Sequence, residues 1–255
     1  MSAMEVKIYT QSITVGFFEV DAKLRLSPAA YWRLLQNAAA AHATLLSAAT
    51  EVLRLAGQTW MLSKMRLDVQ RHPRIGDALT IETWPASRSK GPRAYRDFVL
   101  KNDAGEICAT ASSLWVIVDL ATRRPQRIPD SILAFRLDPG YEIPQVDDGA
   151  LPIPDNPQSE ATYRALWSDA DQNEHVNNVA MLRWAVDSLP LNFLETHVLT
   201  QAEVHYRAEV RVGDTVQLLT ETVDTETSGG RIHQVILDAS GSPAALVHSR
   251  WSDAP

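Results

Sequence analysis

Thiol chemistry is almost absent from this chain of 255 residues, which holds one cysteine, Cys108. A single thiol excludes an intramolecular disulfide, and without a Cys-x-x-Cys or Cys/His cluster no structural zinc is suggested. Cys108 reads as a small buried hydrophobe rather than a nucleophile. Long apolar runs are also missing: nothing approaches the roughly 18 residues that a membrane span needs. Residues 1–12 carry no apolar leader, so the expected compartment is the cytoplasm. Positive charge is in deficit, with 24 Lys and Arg against 31 Asp and Glu and a net charge of -7. General nucleic-acid affinity is therefore not expected, and an acidic partner would need a local basic patch.

What is present is enough to fold. Hydrophobic residues make up 45% of the chain and there are seven tryptophans, sufficient for one large core or two modest ones. Ser27 followed by Pro28 predicts a helix start, with the serine as N-cap and the proline at the first helical position. An Ala- and Leu-rich stretch then runs from Ala29 to Ala56, with a break near Ala48 and a stop at Gly57. Strands are predicted at Trp60–Val69, Ala78–Trp84, Tyr95–Lys101 and Ile107–Asp119, the last two joined by an Asn102–Gly105 turn. From Leu137 to Pro157 five prolines sit among Asp and Gly, which reads as an ordered linker. A strand at Ala161–Trp167, a helix from Asn177 to Pro190 and strands at Val198–Val210, Thr215–Thr225, Arg231–Asp238 and Ala244–Trp251 complete the pattern.

The two halves repeat one another. Asp171 follows Asp21 by 150 residues, and at that offset both helices begin. The segment Arg74-Ile75-Gly76-Asp77 resembles Arg211-Val212-Gly213-Asp214, and Ser113-Leu114-Trp115 resembles Ser249-Arg250-Trp251, at offsets of 137 and 136. The second copy therefore has a shorter helix or connection. A strand, one long helix and an antiparallel sheet, twice over, is the plan of an α+β tandem hot-dog fold. The expected domains are residues 1–136, a linker 137–157, and residues 158–255.

The most informative segment runs from Trp167 to Asn178. If Asp171 to His175 is extended, Asp171, Asn173 and His175 share one face. Asn177 or Asn178 then caps the second helix, whose first N–H groups are unpaired and carry partial positive charge. A carboxylate, an amide and an imidazole beside such donors suit acyl transfer to water. The same residues are common as turn and capping residues with no catalysis at all, and spacing alone leaves both readings open. In the first half Asp21, Lys23 and Arg25 hold the equivalent places, so one active site per chain is expected.

The string WSDADQNEHVNNVAMLRWAVDSLP resembles the W-x-D-x-D-x-N-x-H-V-N-N hallmark of the plant and bacterial acyl-acyl carrier protein thioesterases. The resemblance extends through FFEVDAKLRLSPAAYWRLLQNAAAAHA, TWMLSKMRLDVQRHPRIGDALTIETW, RDFVLKNDAGEICATASSLWVIVDLATRRPQRIP and VHYRAEVRVGDTV, covering most of the chain. It implies two hot-dog domains and release of fatty acids from acyl carrier protein, without metal or organic cofactor. By position it carries catalytic roles onto Asp171, Asn173, His175 and Glu209, leaving open whether Asp171 or Glu209 is the base or nucleophile. Some members have a cysteine after that glutamate; here it is Val210, which removes a Cys–His route. Strand alternation alone puts Glu209 with Glu203, His205 and Arg207 on a face that reads as solvated.

The resemblance also implies that the first domain houses the acyl chain. Asn37, Ala38, Ala39, Ala40 and Ala41 on the long helix are candidates to line that pocket, although alanine is equally a good helix former. Asn177 and Asn178 would border the thioester. The acidic carrier calls for basic docking residues: Arg88, Lys90, Arg93 and Arg96 form one cluster, and Arg123, Arg124 and Arg127 another. Either could be only a solvated charge run. An acyl-CoA thioesterase of the same fold and a non-catalytic acyl-binding module stay open as alternatives, as does a homodimer of the tandem unit.

Overall fold

Ser27 and Pro28 open helix α1, Pro28–Leu45, with Ser27 Oγ accepting the N–H of Ala30 at 3.2 Å. The computed structural model describes residues 7–146, 149–172, 174–224 and 229–254, and the chain divides into two units, Met1–Val146 and Asp147–Pro255. In the first, α1 buries Tyr31, Leu35, Ala38, Ala39 and His42, an i, i+3, i+4 stripe that lays one face of the helix on a sheet. The predicted break falls at Ser47, which has φ of 54°, and a short α2, Thr50–Leu55, follows it.

The sheet of the first unit contains β1 (Tyr9–Thr14), β2 (Gln58–Val69), β3 (Ala78–Pro85), β4 (Ala94–Asn102) and β5 (Ile107–Asp119). Its order is β1-β3-β4-β5-β2, antiparallel throughout, with the two-residue β6 (Pro125–Gln126) on β5. A four-residue α3, Asp130–Leu133, follows. The proline-rich linker then packs back on the sheet face away from α1. Leu137 bridges Ala86, and Val146 joins Ala86, Tyr95 and Leu114 in an apolar cluster. Tyr141 stacks on Trp84 at 5.6 Å and binds Lys101 Nζ and Glu82 at 2.8 and 2.9 Å.

The second unit repeats the plan with β7 (Ser159–Arg164), α4 (Asn178–Asp187), α5 (Leu191–Thr196), β8 (His197–Tyr206), β9 (Thr215–Asp224), β10 (Gly229–Leu237) and β11 (Pro243–Asp253). Its order is β8-β11-β10-β9-β7, again antiparallel. Helix α4 has 10 residues where α1 has 18, which accounts for most of the lost offset between the repeats. Trp184 and Ala185 face the sheet, where Gln234 Nε2 reaches Ala185 O at 2.8 Å. On the other face Leu151 packs on Val235 and Leu246, and His248 Nε2 meets Pro152 O at 3.0 Å. Each unit is thus an α+β hot-dog domain. Among the described residues no helix is long and apolar enough to cross a membrane.

Two predicted strands end early by more than one residue, and the first is β7, which stops at Arg164 rather than Trp167 because Trp167 opens a 3-10 turn. β8 stops at Tyr206 rather than Val210 because the N–H groups of Arg207 and Ala208 both donate to Ala244 O, at 2.8 and 3.1 Å. Two residues opposing one is the pattern of a β-bulge, which bends the chain out of the sheet. The first unit makes the same bend, where Gln70 and Arg71 both donate to Cys108 O.

Candidate functional site

Residues Trp167–Asp169 form one turn of 3-10 helix, and the buried Asp169 ties the local chain together. Its carboxylate accepts the Leu166 N–H at 2.8 Å and pairs with Arg183 at 2.5 Å, while its carbonyl accepts the Asn177 N–H at 2.7 Å. The following residues do not run extended as the alternation argument supposed. Asp171 N–H donates to His175 O at 2.8 Å and Glu174 N–H to Asp171 O at 3.1 Å, closing a turn with Glu174 at φ of 62°. The Asp171 carboxylate accepts the His175 N–H at 3.3 Å, and therefore holds the turn itself. Asn173 lies outside the described residues.

Beyond the turn, Val176 N–H donates to Val210 O at 2.8 Å, and His175 bridges Arg211. This lays the histidine beside the segment that left β8 at the bulge. His175 Nε2 consequently lies 3.3 Å from Glu209 Oε2, with the two side chains 22% and 28% exposed. The bend also takes Glu209 off the alternation of β8. Glu203 and His205 turn out to be buried rather than solvated, paired with each other at 2.8 Å, so charge alone misjudged that face.

The head of α4 completes the arrangement. Asn177 caps it by accepting the Val179 N–H on its side chain at 2.8 Å and the Ala180 N–H on its carbonyl at 2.9 Å. The Asn177 side chain is therefore committed to the helix. Among the described residues nothing accepts the N–H of Asn178, while its carbonyl accepts the Tyr206 hydroxyl at 3.1 Å. A helix-terminal N–H without a partner, an imidazole and a carboxylate lie on neighbouring stretches of one unit. Such a set can polarise a carbonyl and move a proton.

The first unit builds the same backbone without the chemistry. Asp21 N–H donates to Arg25 O at 2.8 Å, Leu24 N–H to Asp21 O at 2.9 Å, and Leu24 has φ of 61°. Leu26 N–H donates to Pro73 O and Ser27 N–H to Glu19 O, matching the bonds of Val176 and Asn177. Where the second unit has His175 and Glu209, the first has Arg25 and His72. His72 is held below the usual histidine range by its burial and by the Arg25 guanidinium, against a smaller opposite pull from Asp21. Pro28 occupies the place of Asn178 and has no N–H to offer.

Comparison with known proteins follows this geometry. The model of the acyl-ACP thioesterase N-terminal domain matches residues 6–135, and that of the C-terminal domain residues 154–253. This chain belongs to the acyl-ACP thioesterase family. A palmitoyl-acyl carrier protein thioesterase of Gossypium hirsutum chloroplasts is 31% identical over 235 residues, covering 86% of this chain and 56% of that protein. The chain thus spans little more than half the length of that curated relative. Two solved structures share the fold. An acyl-ACP thioesterase from Bacteroides thetaiotaomicron is 24% identical with a TM-score of 0.85, covering 99% of this chain and 100% of that one. The 12:0-ACP thioesterase of Umbellularia californica is 22% identical with a TM-score of 0.87, covering 97% and 95%.

The other expected site residues are scattered. Of the small residues on α1, Ala38 and Ala39 are buried and Ala41 is half-buried, but Asn37 and Ala40 face outward, so Asn37 does not line the interior. The first basic cluster splits. Lys90 and Arg93 are exposed, whereas Arg88 turns in to grip Asp97 through both terminal nitrogens, at 2.6 and 2.5 Å. Arg96 turns toward α1, 2.9 Å from the Nδ1 of buried His42, and its burial lowers its pKa to about 10. Neither Arg88 nor Arg96 is free for docking. Arg123, Arg124 and Arg127 are exposed on the turn around β6. Sequence reading missed the Arg96–His42 contact, since nothing in linear spacing joins residues 54 apart.

Proposed function

We propose that the chain hydrolyses the thioester of fatty acyl-acyl carrier protein and releases the free fatty acid. The observation that carries this reading is the His175–Glu209 pair, 3.3 Å apart, three residues ahead of a helix-terminal N–H, that of Asn178, which has no acceptor among the described residues, in a member of this family. Glu209 is the carboxylate assigned to the reacting water, because it faces the His175 imidazole at 3.3 Å, whereas the Asp171 carboxylate accepts the backbone N–H of its own turn. Glu209 and His175 together draw a proton from water as its oxygen attacks the thioester carbon. The resulting oxyanion accepts the N–H of Asn178. Its collapse breaks the carbon–sulfur bond, and His175 returns the proton to the departing thiolate. Val210 follows Glu209, so no thiol is placed there to act as nucleophile. Asn173 keeps the orienting role that the family resemblance gives it. The acyl chain is assigned to the first unit, between α1 and its sheet, with Ala38 and Ala41 on that helix.

Turnover of acyl-carrier and acyl-CoA thioesters, assayed side by side with purified protein, tests the reading. Release of fatty acid from the carrier-bound substrate, abolished in Glu209→Gln and His175→Ala, is the expected result. Folded protein that binds acyl chains yet releases no thiol from either substrate would reject it.

A further inference from the structure

The paired loops differ most in charge. In the first unit, residues 21–25 and 71–77 carry the cations Lys23, Arg25, Arg71 and Arg74 and the anions Asp21 and Asp77, a formal charge of +2. The matching residues of the second unit, 171–175 and 208–214, carry Arg211 against Asp171, Glu174, Glu209 and Asp214, a formal charge of -3. Five charges thus separate two stretches of near-identical backbone, in a chain whose net charge is -7.

Not all of the first unit's cations are available. Arg25 is buried and paired with Asp21 at 2.9 Å, and Arg71 meets Glu106 at 3.0 Å across a half-exposed surface pair. Lys23 and Arg74 are exposed, and among the described residues neither has a carboxylate within ion-pair distance of its side chain. They are fixed side by side, since Arg74 Nη2 donates to Lys23 O at 3.0 Å and Ile75 N–H to Leu24 O at 3.1 Å. The carboxylate of Asp77 is taken up by the Arg74 backbone N–H at 2.8 Å. Next to the cations in the chain, Leu24 and Ile75 are 45% and 38% exposed. An anchored pair of cations, without an ion-pair partner among the described residues and flanked by two exposed apolar side chains, fits an acidic protein face better than a small anion.

We propose that this degenerate loop of the first unit, centred on Lys23 and Arg74, is a docking surface for the acidic face of the acyl carrier protein. The inference rests on the proposed function for its choice of partner. The loop has lost the residues for chemistry while keeping the frame that presents side chains to solvent, and the charge it acquired is opposite in sign to that of the chain.

The test is the double variant Lys23→Glu/Arg74→Glu, with Arg123→Glu/Arg124→Glu as a second variant. KM and kcat are measured on acyl-carrier protein and on the small acyl-N-acetylcysteamine thioester. The first variant should raise KM for the carrier-bound substrate on the order of tenfold, flatten its salt dependence and leave the small thioester unaffected. An unchanged KM for the carrier-bound substrate, whatever the second variant does, overturns the proposal. Should the unmodified protein hydrolyse neither thioester, the functional reading fails instead. Calorimetric titration with acyl-carrier protein then still decides the surface, because binding that is equal in the unmodified protein and the first variant overturns it.

Discussion

Asn178 and Pro28 are the first helical residues of α4 and α1, and they differ in the backbone N–H to which the proposed mechanism gives the oxyanion. Each follows a capping residue, Asn177 or Ser27, on matching backbone. Only Asn178 keeps an N–H. Proline is well tolerated at this position, where the N–H has no helical partner. Asn178→Pro should therefore fold with an unchanged thermal midpoint while kcat falls on the order of 10²–10³-fold, the loss seen when an oxyanion donor is removed. KM should move little. Wild-type turnover in this variant would take the donor role away from α4.

The His175–Glu209 pair predicts a different signature. Glu209→Gln keeps shape and hydrogen bonding but cannot take a proton, so kcat should drop by roughly 10²–10⁴-fold. Because Glu209 is partly exposed, at 28%, stability should stay within about 0.5 kcal/mol of wild type. Chemical denaturation and steady-state kinetics on the same preparation separate the two effects. A variant that is folded and fully active would move the base to Asp171.

Arg88 should behave as a structural residue and not as a docking one. It closes a two-pronged pair with Asp97, whose side chain is 6% exposed, and also binds Ser112 Oγ at 2.7 Å. Removing one partner of a buried pair strands the other charge. Arg88→Ala is expected to cost on the order of 3 kcal/mol in urea unfolding. Under the proposed function, the remaining folded protein should show an unaltered KM for acyl-carrier protein.

Acid should weaken the second unit through His248. Its pKa is lowered to about 4, chiefly by burial, with smaller opposing pulls from Pro152 O and Glu203 and further lowering by His233 and His205. His233 stacks on it at 3.7 Å, and Glu221 faces His233 from β9. The folded histidine stays neutral while the unfolded one takes up a proton below its ordinary value of 6.5. The unfolded state therefore binds more protons, and stability falls as pH drops from about 6.5 towards 4. Thermal midpoints recorded from pH 7.5 to 5 should decline less steeply in His248→Gln than in wild type.

Much of this was legible in the residue string, for identifiable reasons. Ser27-Pro28, Asn102–Gly105 and most of the alternating strands act locally, so their elements fell where the pattern put them, whereas β7 and β8 end short of it. The duplication was visible because Asp21 and Asp171 hold equivalent turns. The site was harder. Asp171 to His175 folds as a turn with a left-handed residue, which alternation cannot foresee in a segment without glycine. Glu209 owes its position to a bulge produced by two N–H groups sharing one carbonyl, a feature of pairing between strands. Glu203 and His205 looked solvated because they are charged or polar, and spacing along the strand does not reveal that they pair with each other in the interior. Arg88 and Arg96 belong to the same lesson, since a run of arginines does not say which of them finds a carboxylate or a helix behind it.

The left-handed residue in the turn that carries Asp171 and His175 has a counterpart in the first unit. Leu24 and Glu174 adopt almost the same φ, 61° and 62°, yet one belongs to a loop that has dropped the reactive side chains. Conformational tension here is therefore an inherited cost of the bend, of order 1 kcal/mol for a residue with a Cβ. It is not a reserve drawn on during turnover. Glu174→Gly should relax the backbone at little expense to rate, making that position a natural starting point for engineering a more durable enzyme.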